Sequence, residues 1–235
     1  MTLKIQNLCK SYENMKVFQN FHMEISENHI TCILGPSGCG KTTLLNMISG
    51  IIQQDDGTFL GLEHKVISYL FQEPRLLDWK TVWGNIEFIL KDIYQKEERE
   101  KIISKYIEMV GLKEFKDYYP PQLSGGMMQR VSIARAFAYP SDILLMDEPF
   151  KGLDIKIKES LFYAFIKLWN EDLRTVIFVT HDIEEALLLG DHVYVLGDIP
   201  VKIKKCFEIS MPREKRSMEK ETLKEIKKEI YKILK

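Results

Sequence analysis

The sequence has no run of 18 consecutive apolar residues, so no part of it is expected to cross a membrane as a helix. Met1 to Asn7 lack a continuous apolar stretch of the kind a secretory signal needs, and the expectation is a chain that is neither exported nor membrane-spanning. Cysteines are few: Cys9, Cys32, Cys39 and Cys206 form no Cys-x-x-Cys pair and have no histidine at zinc spacing. That excludes a zinc cage and a disulfide framework, and free thiols are expected. Neither sign of charge dominates, with 33 Lys and Arg against 34 Asp and Glu. A net charge of −1 gives no general pull toward nucleic acid or an anionic membrane, so recognition must be local. Internal repeats and low-complexity tracts are also absent.

What is present is 235 residues with 45% hydrophobic content, enough for one large α/β unit or a core carrying an insertion. Thr31 to Leu34, Ile143 to Met146 and Thr175 to Val179 are continuous apolar or β-branched runs. Strands of this kind, without alternation, are buried on both faces, as in a mainly parallel sheet covered by helices. Between about Glu73 and Ala138 the texture changes to a charged helical stretch from Gln95 to Val110, a turn at Pro120-Pro121, and a helix opening after Ser124. The expected organisation is a discontinuous core, 1–72 and 139–212, with an inserted helical subdomain at 73–138. A C-terminal helix over 213–235 places Leu223, Ile226, Ile230 and Ile233 at three- and four-residue spacing, a pattern that packs on its own domain.

The densest chemistry lies in Gly35-Pro36-Ser37-Gly38-Cys39-Gly40-Lys41-Thr42, with Thr43 following. It fits Gly-x-x-x-x-Gly-Lys-Ser/Thr, follows an apolar strand and opens a helical run through Leu44, Leu45 and Ile48. The glycines let several backbone N–H groups converge, and the helix N-terminus adds partial positive charge, which together make a phosphate nest. Lys41 would reach the β- and γ-phosphates of ATP, and the Thr42 hydroxyl would join a Mg2+ shell. A chance Gly-rich turn would not need the strand before it and the helix after it.

Asp147 and Glu148 end the run Asp142 to Pro149 and stand where open α/β sheets present their ligand crevice. Asp147 would hold magnesium and Glu148 would polarise or deprotonate the attacking water. His181 follows the run ending at Thr180 and reaches the same crevice, where it would sense the γ-phosphate as a third catalytic group beside Glu148 and Lys41. Gln72, after Tyr69-Leu70-Phe71, could complete the magnesium shell through its amide oxygen.

A second anion site begins at Leu123-Ser124-Gly125-Gly126-Met127, where a Ser can cap a helix and two glycines allow close backbone approach. One ATP does not need two such sites from one chain. Preceding a strand that ends in Asp-Glu-Pro, this segment resembles the signature motif of ABC-type ATPases, and the resemblance runs from about Ile5 to Pro212 with the motifs in the family's order. The fold it implies is a P-loop NTPase (RecA-like) core with a parallel sheet, a small antiparallel β-part and an inserted α-helical subdomain. It also implies that Tyr12 stacks on adenine, that Gln72 is the Q-loop residue, that Gly152-Leu153-Asp154 is a D-loop at the dimer interface, and that His181 is the H-loop residue. Two such domains sandwich two ATP molecules head to tail, so Ser124, Gly125 and Gly126 would meet nucleotide held by a partner's cradle.

The wording FQEPRLLDWKTVWGNI at 71–86 and FVTHDIEEALLLGD at 178–191, with Met211-Pro212-Arg213, resembles importers of nitrate, sulfonate and taurine, and those of thiamine precursors. This implies an ATPase on the cytoplasmic face of a membrane, permease subunits docked around Gln72 to Glu87, and an extracytoplasmic solute-binding protein. The alternative is an ABC-type ATPase without transport, which usually carries a coiled-coil insertion or two cassettes. Three positions depart from the family. The interval from Lys41 to Gln72 is about ten residues short, with Gly50 to Lys65 the expected site of trimming; Lys151 stands where a small residue is usual; and Met128 replaces a commonly basic one.

Overall fold

The computed structural model describes residues 2–13 and 15–234; Met1, Asn14 and Lys235, which fall in the expected segments 1–72 and 213–235, lie outside the described residues. In chain order the strands are β1 (Thr2–Tyr12), β2 (Met15–Ser26), β3 (Ile30–Leu34), β4 (Asp56–Leu60), β5 (Ile67–Leu70), β6 (Ile143–Asp147), β7 (Thr175–Thr180), β8 (His192–Gly197) and β9 (Lys202–Glu208). The larger sheet has the order β5-β6-β7-β3-β8-β9, parallel except for the antiparallel edge strand β9. A second, antiparallel sheet has the order β2-β1-β4.

The continuous apolar runs are explained by burial on both faces. Ile30, Cys32 and Leu34 of β3 face one core with Leu144, Met146, Val176 and Phe178, while Ile33, Ile143, Leu145, Ile177 and Val179 face the other. Successive residues of a strand point to opposite sides, so both parities must be apolar when both sides are covered. The second core is closed by Leu3, Ile5, Phe18 and Phe21 of the antiparallel sheet and by Leu44 and Leu45 of α1 (Lys41–Ile48). The first core is closed by α2 (Val82–Leu90), α3 (Lys96–Met109), α4 (Gly125–Ala138), α5 (Ile155–Glu171), α6 (Ile183–Leu189) and α7 (Glu221–Leu234). No helix among the described residues is long and apolar enough to cross a membrane.

Two elements differ from the sequence expectation. Helix α2 was not expected; it is short, its N-cap Thr81 accepts a bond from the Gly84 N–H, and Val82, Ile86 and Leu90 are buried in the first core. Its period is masked because an apolar residue, Phe88, is exposed while a polar one, Asn85, is buried. The helix expected over 213–235 begins only at Glu221. Arg216 is held extended, at φ −76° and ψ 130°, because its guanidinium turns inward to the carbonyl oxygens of Gly190 at 2.7 Å and Ile209 at 2.9 Å. Its neighbour Arg213 pairs with Asp191 in the same buried corner. Beyond them α7 buries Leu223 and Ile230, the stripe its spacing predicts.

Candidate functional site

Parallel strands carry their C-terminal ends to one edge, and register decides what meets there. Leu34 pairs with Thr180 and Asp147 with Val179, so the turns after β3, β6 and β7 emerge side by side. Residues 35–40 lead from β3 into α1. Gly40 caps that helix at φ 97°, and a Cβ there would lie 2.9 Å from Val17 Cγ1, so the position admits no side chain. With no side-chain cap, the first N–H groups of α1 are left for an anion.

Lys41 is buried at 5% exposure, and its ammonium donates to the carbonyl oxygens of Gly35 at 2.7 Å and Pro36 at 2.9 Å. Three rotatable donors let it serve the loop and a phosphate from one place. A cleft of about 330 Å3 opens over the loop, shared by Tyr12, Ser37, Gly38, Lys41, Thr42 and Thr43 with Glu148 and Lys151 on its far side. Tyr12 sits at the end of β1, 40% exposed, and that strand end is pinned where the Ser11 N–H donates to Asp55 Oδ2 at 2.6 Å and Lys10 pairs with Asp55 Oδ1 at 2.8 Å. Cys39 turns inward, and burial pushes its thiol above the ordinary value, which leaves it inert.

A second cleft of about 430 Å3 adjoins the first through Thr42, and Asp147, Gln72, Tyr69 and Arg75 line it. The Thr42 hydroxyl donates to Asp147 Oδ1 at 3.1 Å. Burial pushes the Asp147 carboxyl above its ordinary value, and the charge of Glu148 adds to this against the opposing Thr42 bond and Lys41 charge. A buried carboxylate beside a hydroxyl and an amide is a hard-oxygen donor set. No group of three or more His, Cys, Asp or Glu among the described residues could cage a metal. The hard-oxygen set of Thr42, Asp147 and Gln72 fits Mg2+, which takes few protein ligands and keeps several waters.

Glu148 adopts φ 43°, a left-handed conformation uncommon for its type, which turns its side chain back over the strand ends. Lys151 lies 2.7 Å from Glu148 Oε2 and His181 Nδ1 lies 3.3 Å from Oε1. Burial alone would raise the Glu148 carboxyl, but its contacts with Lys151 and His181 outweigh burial and hold it below the ordinary value.

The signature residues lie elsewhere: neither cleft is lined by Ser124, Gly125, Gly126 or Asp154. Ser124 caps α4, its hydroxyl accepting from the Met127 N–H at 3.3 Å, and Asp154 caps α5 in the same way at 3.0 Å from Ile157 N. A Cβ on Gly125 would meet nothing within 4 Å, whereas one on Gly126 would come within 2.7 Å of Ile157 Cγ2. Gly126 is thus required first for packing the start of α4 on α5.

Several residues that sequence reasoning missed hold these parts in place. Lys158 of α5 pairs with Asp182 and Glu185 at 2.7 Å each, and the Thr180 hydroxyl donates to Glu185 at 2.6 Å, which ties α5 to the turn carrying His181. Arg135 of α4 donates to the carbonyl oxygens of Pro74 at 2.9 Å and Arg75 at 3.0 Å, and Ser132 donates to Pro74 as well. Asn85, fully buried, bonds both the N–H and the carbonyl of Leu77 and closes the loop that exposes Trp79 at 74%. Only the Asp182 cap, an Asp followed by Ile-Glu-Glu, had a local signal.

The chain is similar to known proteins in sequence and in fold. The ABC transporter family matches residues 18–151. An uncharacterized ABC transporter ATP-binding protein of Methanocaldococcus jannaschii is 42% identical, spanning 99% of this chain and 94% of its own length. The aliphatic sulfonates import ATP-binding protein SsuB of Bacillus cereus is 36% identical, spanning 98% and 94%. Among solved structures, an ATP-binding cassette in a dimeric post-hydrolysis state, bound to ADP and phosphate, superposes with a TM-score of 0.76 at 31% identity, covering 89% of this chain and all of that one.

Proposed function

We propose that this chain, which belongs to the ABC transporter family of ATP-binding proteins, is the peripheral subunit that powers import of a small solute through a membrane permease. It is an ATPase. In this reading the cleft over residues 35–43 holds the triphosphate, with Tyr12 against the adenine, Lys41 on the β- and γ-phosphates, and the backbone of Ser37 to Thr43 as the nest. Thr42, Asp147 and Gln72 would hold magnesium, which would neutralise charge on the phosphoryl oxygens.

The observation that carries the reading is the meeting of Glu148 with His181 at the strand edge beside the cradle. Glu148 takes a proton from the water as the water oxygen bonds to the γ-phosphorus, and the bond from that phosphorus to the β,γ-bridging oxygen breaks, so that ADP leaves and phosphate is formed. His181 orients that carboxylate and faces the γ-phosphate. Because Ser124 to Gly126 lie outside both clefts, they complete the site of a second copy, and ATP closes the pair of copies as one body. Hydrolysis removes that bridge and lets them part.

Arg135 and Ser132 tie α4, which starts at the signature, to Pro74 and Arg75 next to the exposed Trp79. Movement of the signature helix is thereby carried to the 72–87 surface, where a permease would dock. The solute class follows from relatives and from the sequence resemblance: sulfonates, taurine, nitrate or thiamine precursors. Co-purification of the membrane partner and its solute-binding protein, followed by a binding screen with that panel, tests this. A partner that binds one of these supports the import reading. Recovery with nucleic-acid or ribosomal partners instead would favour the non-transport alternative.

A further inference from the structure

We propose that Lys151 is a positioning residue for hydrolysis, fixing the Glu148 carboxylate by an ion pair to Oε2 so that Oε1 is presented to water. This rests on the reading of Glu148 as the base. The geometry is specific. Its ammonium lies 2.7 Å from Oε2 while His181 Nδ1 lies 3.3 Å from Oε1, so each carboxylate oxygen faces its own basic side chain, and the ion pair biases the rotation of the group. A base held by one oxygen alone would swing about its last side-chain bond, and a sub-ångström error in placing the water costs rate.

The loop makes this possible. Glu148 is left-handed, and the Lys151 N–H returns to the Glu148 carbonyl at 3.2 Å, so a tight turn brings residue 151 back over residue 148. The middle of the turn is anchored. Phe150 is buried edge-on against Phe162, and the Gln129 amide donates to the Pro149 carbonyl at 2.5 Å. Lys151 itself is 43% exposed on its side chain while that of Glu148 is 10% exposed, so the lysine supports no core, and its removal leaves the fold standing. A small residue at 151 could not reach Oε2.

Steady-state ATP hydrolysis by the full chain, at a concentration that favours pairing, tests the proposal with Lys151→Met, which keeps the stem and removes the charge. The expected result is a kcat lower by about tenfold or more with KM for MgATP unchanged, restored in large part by Lys151→Arg. Glu148→Gln, run in parallel, should fall to background, and adding Lys151→Met to it should cause no further loss. An unchanged or raised kcat in Lys151→Met overturns the proposal. A raised KM at unchanged kcat also overturns it, since the lysine would then hold phosphate rather than the carboxylate. Retained turnover in Glu148→Gln would instead overturn the base assignment on which the proposal depends.

Discussion

Lys158→Met removes the cation that joins α5 to the His181 turn, and its cost can be worked from the contacts. Glu185 has a side chain only 3% exposed, and it would lose its ion pair at 2.7 Å while keeping the Thr180 bond. Removing one partner of a buried pair costs about 3 to 5 kcal/mol, because a charge is left without compensation. Lys158 is itself 24% exposed and Asp182 32%, so water recovers part of that, and about 2 to 3 kcal/mol is expected. For a chain of this size each kcal/mol moves Tm by about 2 to 4 °C, giving a fall of about 4 to 12 °C by thermal melting near neutral pH.

The pH dependence has a definite sign. Burial already pushes Glu185 above its ordinary 4.5, and without Lys158 it moves further up. As pH falls through that raised value the carboxyl takes a proton and the uncompensated charge disappears, so the penalty shrinks toward acid. Asp182 is held below its ordinary 3.8 despite burial, by the Lys158 bond and charge, so the stability it contributes is present above that value and is lost only as pH falls below it. A Tm within about 1 °C of the parent near neutrality, or a penalty that grows as pH falls, would refute the reasoning.

Other outcomes are as direct. Lys41→Ala should abolish tight ATP binding in calorimetry, since no other cation in that cleft sits within the loop. Gly126→Ala should destabilise by about 1 to 3 kcal/mol, from a Cβ set 2.7 Å from Ile157 Cγ2, and Ile157→Ala in the same chain should relieve the strain in urea unfolding. Trp79→Ala should leave Tm unchanged, given 74% exposure, and weaken capture of the permease in pull-down.

Much of the site is legible in the sequence because its signals are local. The cradle is a contiguous octet between a strand and a helix, and Ser124 reads as a cap because a capping bond spans three residues. The parallel strands show as unbroken apolar runs since both faces are covered. What is not legible depends on register or on long side chains. Lys151 reaches Glu148 only because residue 148 is left-handed, which no residue type at that position announces. Lys158 meets Glu185 across 27 residues, and Arg135 meets Pro74 across 61, contacts that exist only once the elements have packed. The stretch between Arg213 and Lys220 has a helical look that two inward guanidiniums override.

In the proposed cycle ATP is held between two copies of this chain, with Ser124 and Gly126 of one completing the cradle of the other. Sedimentation of the Glu148→Gln chain with and without MgATP tests it most directly. Monomer is expected without nucleotide, a stable dimer with ATP, and a return to monomer when Ser124→Glu is added. A chain that binds ATP yet stays monomeric, or a dimer indifferent to Ser124→Glu, would contradict it.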